Sequence, residues 1–284
     1  MINTKLIKRR LKSVRSTKKI TRAMELVAAA KMRRAVSTAV NARAFARLAE
    51  EIIGSLRQLG RQLKHPLIAS GGPKSLVLLI TANRGLCGGL NTNLFKKLLE
   101  LKELAPAAVI VGKKGEAMVK KLGWPILAAF GALSDTPKWT ELLPAVKLVR
   151  QEYEKGSYRQ VFLVYTEFIS ALEQKTSLKQ ILPLAVAATP ESALTSWLTE
   201  FKLEPDPPAI LDSLLPRLLE IRSYQAALES SAAEQSARML AMRKAGEAAE
   251  EMINDLVFSF NQARQAGITR EIAEVAGGAA AMAT

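Results

Sequence analysis

Residues 211–263 read LDSLLPRLLEIRSYQAALESSAAEQSARMLAMRKAGEAAEEMINDLVFSFNQA. Steps of three and four run through them without a break, at Leu211, Leu214, Leu218, Ile221, Gln225, Leu228, Ala232, Gln235, Met239, Met242, Gly246, Ala249, Ile253, Leu256, Phe260 and Ala263. A seam repeating every seven residues over this length predicts a left-handed coiled coil. At a rise of ~1.5 Å per residue it extends close to ~80 Å. Pro216 falls inside the frame and predicts a kink or a late helix start there. Gln225 and Gln235 are polar seam positions that set register. Ala232, Gly246, Ala249 and Ala263 are small enough to let a partner helix come close.

Proline and glycine extend the reading outward. All 12 prolines lie between Pro66 and Pro216, no glycine precedes Gly54, and only Gly246, Gly267, Gly277 and Gly278 follow Pro216. Because proline removes a backbone donor and clashes with the preceding turn, both proline-free ends are expected to be long helices around a compact middle. At the N-terminal end, Ile7, Leu11 and Val14, then Ile20, Met24 and Val27, then Phe45, Leu48, Ile52, Leu56, Leu59 and Leu63 keep helical spacing, with a phase shift between blocks. Antiparallel pairing of the two ends is the economical arrangement, and a homodimeric coil is the competing use of the seam. The C-terminal helix is expected to outrun its partner by roughly ten residues, about 15 Å.

Between them the pattern alternates. Strands are predicted at 75–81 (SLVLLIT), 107–112 (AAVIVG), 125–130 (PILAAF) and 160–168 (QVFLVYTEF), with helices at 91–104, 115–123 and Trp139–Lys155. The run 170–184 reads as an antiparallel edge, and Pro205, Pro207 and Pro208 mark the return to the last helix. This order makes a mostly parallel sheet with helices on its faces. The fold class is thus α/β: a long antiparallel coiled coil of the terminal helices with an inserted Rossmann-like α/β domain. The expected divisions are 1–64, 65–208 and 209–284. The loop TANRGLCGGLN follows the first strand, where a phosphate loop would sit, but Gly85, Gly88 and Gly89 do not make G-x-G-x-x-G and no P-loop lysine follows. A tight turn is the simpler reading.

Composition narrows the chemistry. The net charge is +15, concentrated in Met1–Arg34, where Lys5, Lys8, Arg9, Arg10, Lys12, Arg15, Lys18, Lys19, Arg22, Lys31, Arg33 and Arg34 face Glu25 as the single acid. Such a helix seeks an anionic partner. His65 and Cys87 are the only residues of their types, leaving little material for a metal cluster or a histidine-based triad. No catalytic, cofactor-binding or metal residue is assigned. No apolar run reaches the ~20 residues that span a bilayer, and no secretory leader is visible. The rival readings are a basic coiled-coil protein binding nucleic acid or an anionic membrane, and a Rossmann-type enzyme.

Four stretches carry a resemblance: STKKITRAMELVAAAKMRRA (16–35), NRGLCGGLNTNLF (83–95), SAAEQSARMLAMRKAGEAA (231–249) and FNQARQAGITREIAEVAGGA (260–279). Together they resemble the γ subunit of F-type ATP synthase over nearly the whole chain. The resemblance implies a non-catalytic rotor shaft that couples ion-driven rotation of the c-ring to ATP synthesis or hydrolysis at the β subunits. Its implied partners are three α and three β subunits, the ε subunit and the c-ring, with one copy per complex, no cofactor and no nucleic acid. The implied location is the cytoplasmic face of a bacterial plasma membrane, as a peripheral protein. Carried over by position, Met24, Arg238, Arg264, Gln265, Thr269 and Glu271 match contacts with β, and Arg84, Gly85, Leu86, Cys87, Gly88 and Gly89 match a loop at its base. Phe201, Leu203 and Glu204 match the foot on the c-ring. Arg9, Arg10, Lys12, Lys18, Lys19, Arg22, Arg33 and Arg34 form a basic shaft face. The chain departs from the family at Asn83, where an aspartate is common, and it lacks the cysteine-bearing insertion of chloroplast relatives.

Overall fold

The computed structural model describes residues 4–59, 65–69, 71–131, 133–184 and 207–282. They form helix α1 (Thr4–Leu59), β1 (Lys74–Ile80), α2 (Leu90–Leu99), a 3-10 turn (Lys102–Leu104) and β2 (Ala107–Val111). Then come α3 (Gly115–Leu122), β3 (Ile126–Phe130), α4 (Trp139–Glu154), β4 (Tyr158–Phe168), β5 (Gln174–Leu182) and α5 (Pro207–Met282). Two compact units are distinguishable: Met1–Val27 with Met239–Thr284, and Ala28–Arg238. No described helix is long and apolar enough to cross a membrane.

In the larger unit the strands lie in the order β3-β2-β1-β4-β5. β1 pairs in parallel with β2 and β4, and β5 returns antiparallel along β4. From Ser75 to Ile80 every residue of β1 is buried, because helices cover both faces of a parallel sheet. On one face Leu76, Leu78, Val109, Val161 and Leu163 pack against α4 and against Leu215–Ala227 of α5. On the other, Val77, Leu79, Ile110 and Val164 pack against α2 and α3. The edge strand β3 carries a register shift opposite Ala108/Val109, and such a bulge discourages pairing with another chain.

The predicted strands and helices of the middle are all present, including the antiparallel edge. α5, by contrast, starts at Pro207 and carries on through Pro216, so the late start expected at that proline does not occur.

In the smaller unit α1 and α5 pair antiparallel. Lys18 Nζ lies 2.8 Å from Glu250, and Arg243 Nε lies 3.1 Å from Glu25. A step of one heptad forward along α1 is therefore one heptad back along α5. The phase of α1 differs from the one its large apolar residues suggest. Ile7, Leu11, Val14, Lys18, Thr21, Glu25, Ala28, Met32, Ala35 and Ala39 follow an unbroken heptad, and all are buried or half-buried. Ile20, Leu26 and Val27 are exposed. Three polar residues, Lys18, Thr21 and Glu25, take seam positions, and that substitution is what looks like a phase shift in the sequence.

Candidate functional site

Three surfaces hold the residues singled out above. The first is α1 of the smaller unit. At 100° per residue, the seam positions occupy one side of the helix; Arg9, Lys12 and Lys19 fall on the other, Arg10 and Arg22 flank the seam, and all five are exposed. Lys18 is half-buried and pairs with Glu250, and Arg22 donates to Glu25 at 2.7 Å. Met24 is half-buried at the border of the seam. Arg33 and Arg34, in the larger unit, are also exposed.

The second surface is the end of α5. Carrying the antiparallel step two heptads beyond Lys18 and Glu250 brings Thr4, where α1 begins, level with Arg264. Past that point α5 continues to Met282. From Arg264 to Ala276 every residue is exposed except half-buried Gly267. Arg264, Gln265, Thr269 and Glu271 thus project freely, and so do Ile268, Ile272 and Val275, an apolar stripe at steps of four and three. The helix outruns its partner by more than the ten residues expected.

The third is the loop after β1. In doubly wound sheets a ligand binds where the strand order reverses, outside the carboxyl ends of the strands. Here that point lies between β1 and β4, and α5 itself fills it. Ser231 donates to the Asp135 carbonyl at 2.6 Å, Gln235 donates to the Asp135 carboxylate at 3.1 Å, and Ser236 donates to the Ala171 carbonyl at 2.6 Å. Lys31 of α1 closes the same group by an ion pair with Asp135 at 2.6 Å. The Asn83 N–H, where a phosphate oxygen would be cradled, donates to the Glu234 carboxylate at 3.3 Å. What remains of the crevice is about 20 Å³, room for roughly one water.

Arg238 belongs to this arrangement. It is 8 % exposed, and its guanidinium donates to Glu234, to Gln235 at 3.0 Å and to the Gly85 carbonyl at 3.4 Å. It ties the loop to α5. Asn83 Nδ2 donates to the Leu133 carbonyl at 2.6 Å, a bond that an aspartate in its place could not donate. Leu86 takes a left-handed backbone at φ 61° with its side chain 62 % exposed. For a residue with a Cβ that conformation is strained, and such strain persists where the surroundings demand it. Gly88 shares the region at φ 59°. Cys87 points inward: burial first, and the Glu234 charge second, push its thiol above the ordinary value. Its sulfur accepts from Asn91 Nδ2 at 3.5 Å.

Sequence reasoning found the loop and the two helical surfaces. It passed over Glu229 and Glu234, whose signal is an acidic residue set in an otherwise small-residue helix, AALESSAAEQSA, and it passed over Asp135 in the loop before α4. Phe201, Leu203 and Glu204 lie outside the described residues.

Comparisons with known proteins bear on the chain as a whole. A family profile described as ATP synthase matches residues 3–282. The ATP synthase gamma chain of Dehalococcoides mccartyi is 39% identical over 290 residues, covering 100% of both chains. That of Burkholderia mallei is 39% identical over 293 residues, covering 99% of this chain and 100% of the relative. Among solved structures, the fold is similar to a chain of the Euglena gracilis mitochondrial ATP synthase (OSCP/F1/c-ring, rotational state 3), with TM-score 0.69 and 18% identity over 98% of this chain and 94% of that one. It is also similar to a chain of the Tetrahymena thermophila central stalk and c-ring, with TM-score 0.60 and 24% identity over 80% of this chain and 99% of that one.

Proposed function

The chain belongs to the ATP synthase gamma-chain family and is its non-catalytic rotor subunit, the central stalk; from that premise we propose how its surfaces work. The single observation that carries the proposal is the run of α5 beyond its pairing with α1, exposed on every side. A lone helix of this kind fits a shaft tip that turns inside a sleeve of other subunits, three α and three β.

Arg264, Gln265, Thr269 and Glu271 meet β loops at the tip. Met24 and the basic face of α1 meet acidic loops lower down, and Arg84–Gly89 meets the base of β. Arg238 serves the same contact by holding that loop against α5. Phe201, Leu203 and Glu204 rest on the c-ring beside the ε subunit, so one copy sits in each complex as a peripheral protein on the cytoplasmic face of a bacterial membrane. Charges on exposed lysines and arginines act over several ångströms and are softened by water and salt. They attract passing acidic loops without locking the shaft in one position.

The basic-helix reading as a nucleic-acid or membrane binder gains no support, since the family match runs the full length of the chain. The test is ATP-driven rotation of the assembled complex carrying Arg9, Arg10, Lys12 and Lys19 changed to glutamine. Torque is expected to fall severalfold, with the subunits still co-purifying. Unchanged torque and ion pumping would refute the role of the basic face.

A further inference from the structure

Within the larger unit α5 is buried on nearly every side from Leu218 to Arg238, and beyond Leu219 the fully buried side chains it gives to the sheet's core are small: Ala226, Ala227 and Ala233. A smooth surface packs closely but offers little to resist a twist about the helix axis. Polar bonds break the smoothness in two places: at the crevice, where Ser231–Arg238 bond the loops beyond the strands, and at the antiparallel edge, where a single carboxylate is the centre.

Glu229, 5 % exposed, accepts Arg43 of α1 at 2.8 Å and Gln225 Nε2 at 2.9 Å. The Tyr165 hydroxyl of β4 donates to its other oxygen at 3.5 Å. Lys179 of β5 donates to that hydroxyl at 2.8 Å and lies 5.3 Å from the ring centroid. Gln225 also donates to the Ala39 carbonyl of α1 at 3.2 Å. One carboxylate thus joins both long helices to the antiparallel edge of the sheet. A cavity of about 250 Å³ opens beside it, lined by Leu163, Ile181 and Ala226 together with members of the cluster. Close packing is therefore interrupted at this place, and the polar bonds carry the connection.

We infer that Glu229 is the key that holds α5 in angular register with the antiparallel β4/β5 edge of the sheet when torque passes between them. The inference rests on the rotor role, and Glu229 is a positioning residue in it. A rotation of ~20° swings a carboxylate carried ~6 Å from the helix axis by about 2 Å, which takes its bonds to Arg43 and Tyr165 beyond hydrogen-bond range. The small side chains around it would slide past the same rotation with little change in contact. Arg43 and Gln225 hold the carboxylate from the helix side, and Tyr165, braced by Lys179, holds it from the sheet side.

The experiment uses the assembled complex with a bead attached through Leu172→Cys, on the turn between β4 and β5, where the side chain is 74 % exposed and the native Cys87 is buried. The angular spread of the bead is recorded in a stalled motor, together with ions pumped per ATP against an established gradient. Glu229→Gln is expected to widen the spread about twofold and to lower pumping under load, with unloaded hydrolysis near the parent rate. Tyr165→Phe and Lys179→Met each give a smaller widening and serve if Glu229→Gln fails to assemble. Adding Arg43→Gln to Glu229→Gln should widen the spread little further, because both remove the same link. A lower melting temperature with an unchanged spread would overturn the inference and leave a structural role only. Absence of rotation in the parent complex would strike at the rotor reading instead.

Discussion

Arg243 of α5 donates to Glu25 of α1 at 3.1 Å across the coil, and Glu25 is 5 % exposed. The single acid among the twelve bases of the first 34 residues is thus the one that faces the partner helix. Burial alone would raise its carboxyl, but the hydrogen bonds and charges of Arg243 and Arg22 outweigh burial and hold it below the usual value.

Glu25→Gln is expected to destabilise the coil by about 1–2 kcal/mol at neutral pH. That is less than the 3–5 kcal/mol of a fully buried pair, because Arg243 is half exposed and screened by water. The folded value lies below the unfolded one, near ~4.3. The advantage of the parent chain is therefore complete above that value and lost as pH falls through the lower folded one. Denaturant titrations followed by far-UV circular dichroism at pH 7 and at pH 3 check this: a gap that persists unchanged in acid contradicts it.

Gly246 stands opposite Thr21, and an added Cβ would meet Thr21 Oγ1 at 3.5 Å, an ordinary contact. Close approach therefore does not require glycine here, and Gly246→Ala should stabilise the helix by up to about 1 kcal/mol. A fall in the unfolding midpoint would show that the helices are closer than this geometry gives.

Asn83→Asp replaces the donor to the Leu133 carbonyl with a second carboxylate near Glu234. Losing that bond and adding the repulsion should cost about 1–3 kcal/mol. The thermal midpoint of the purified chain measures it, and a neutral result would mean that the loop rearranges to admit the charge.

Gly112 has φ 100°, and a Cβ there would lie 2.3 Å from the Thr81 carbonyl oxygen. Gly112→Ala should destabilise the sheet by about 3 kcal/mol or more, seen as a loss of soluble chain or of denaturant resistance. Gly123→Ala, with no heavy atom within 4 Å of its added Cβ, should cost less and makes the control.

Cys87 should resist alkylation. With its thiol raised by burial and its sulfur bonded to Asn91, iodoacetamide at pH 8 is expected to label the folded chain at least tenfold more slowly than the urea-unfolded chain. Equal rates would place the sulfur at the surface.

Most of this architecture could be read from residue order. The seam of α5, the alternation of strands and helices and the antiparallel edge depend on local periodicity, which survives without knowledge of neighbours. The phase of α1 did not follow from its apolar residues. Ile20 and Val27 look like seam but are exposed, whereas Lys18, Thr21 and Glu25 occupy the seam because α5 brings Glu250 and Arg243 opposite two of them. Periodicity counts apolar side chains, and a polar seam residue becomes legible only when its partner is in place.

The same division applies to the surfaces proposed to act. The basic face, the glycine loop and the long last helix were written in the chain itself, as charge, backbone freedom and the absence of proline. Only tertiary structure decided that α5 occupies the crevice where a nucleotide would bind, that Arg238 turns inward to the loop, and that Glu229 gathers Arg43, Gln225 and Tyr165. Apart from the Gln225 bond, those contacts join residues 64 or more positions apart, and no local pattern encodes which distant donor will reach a buried carboxylate.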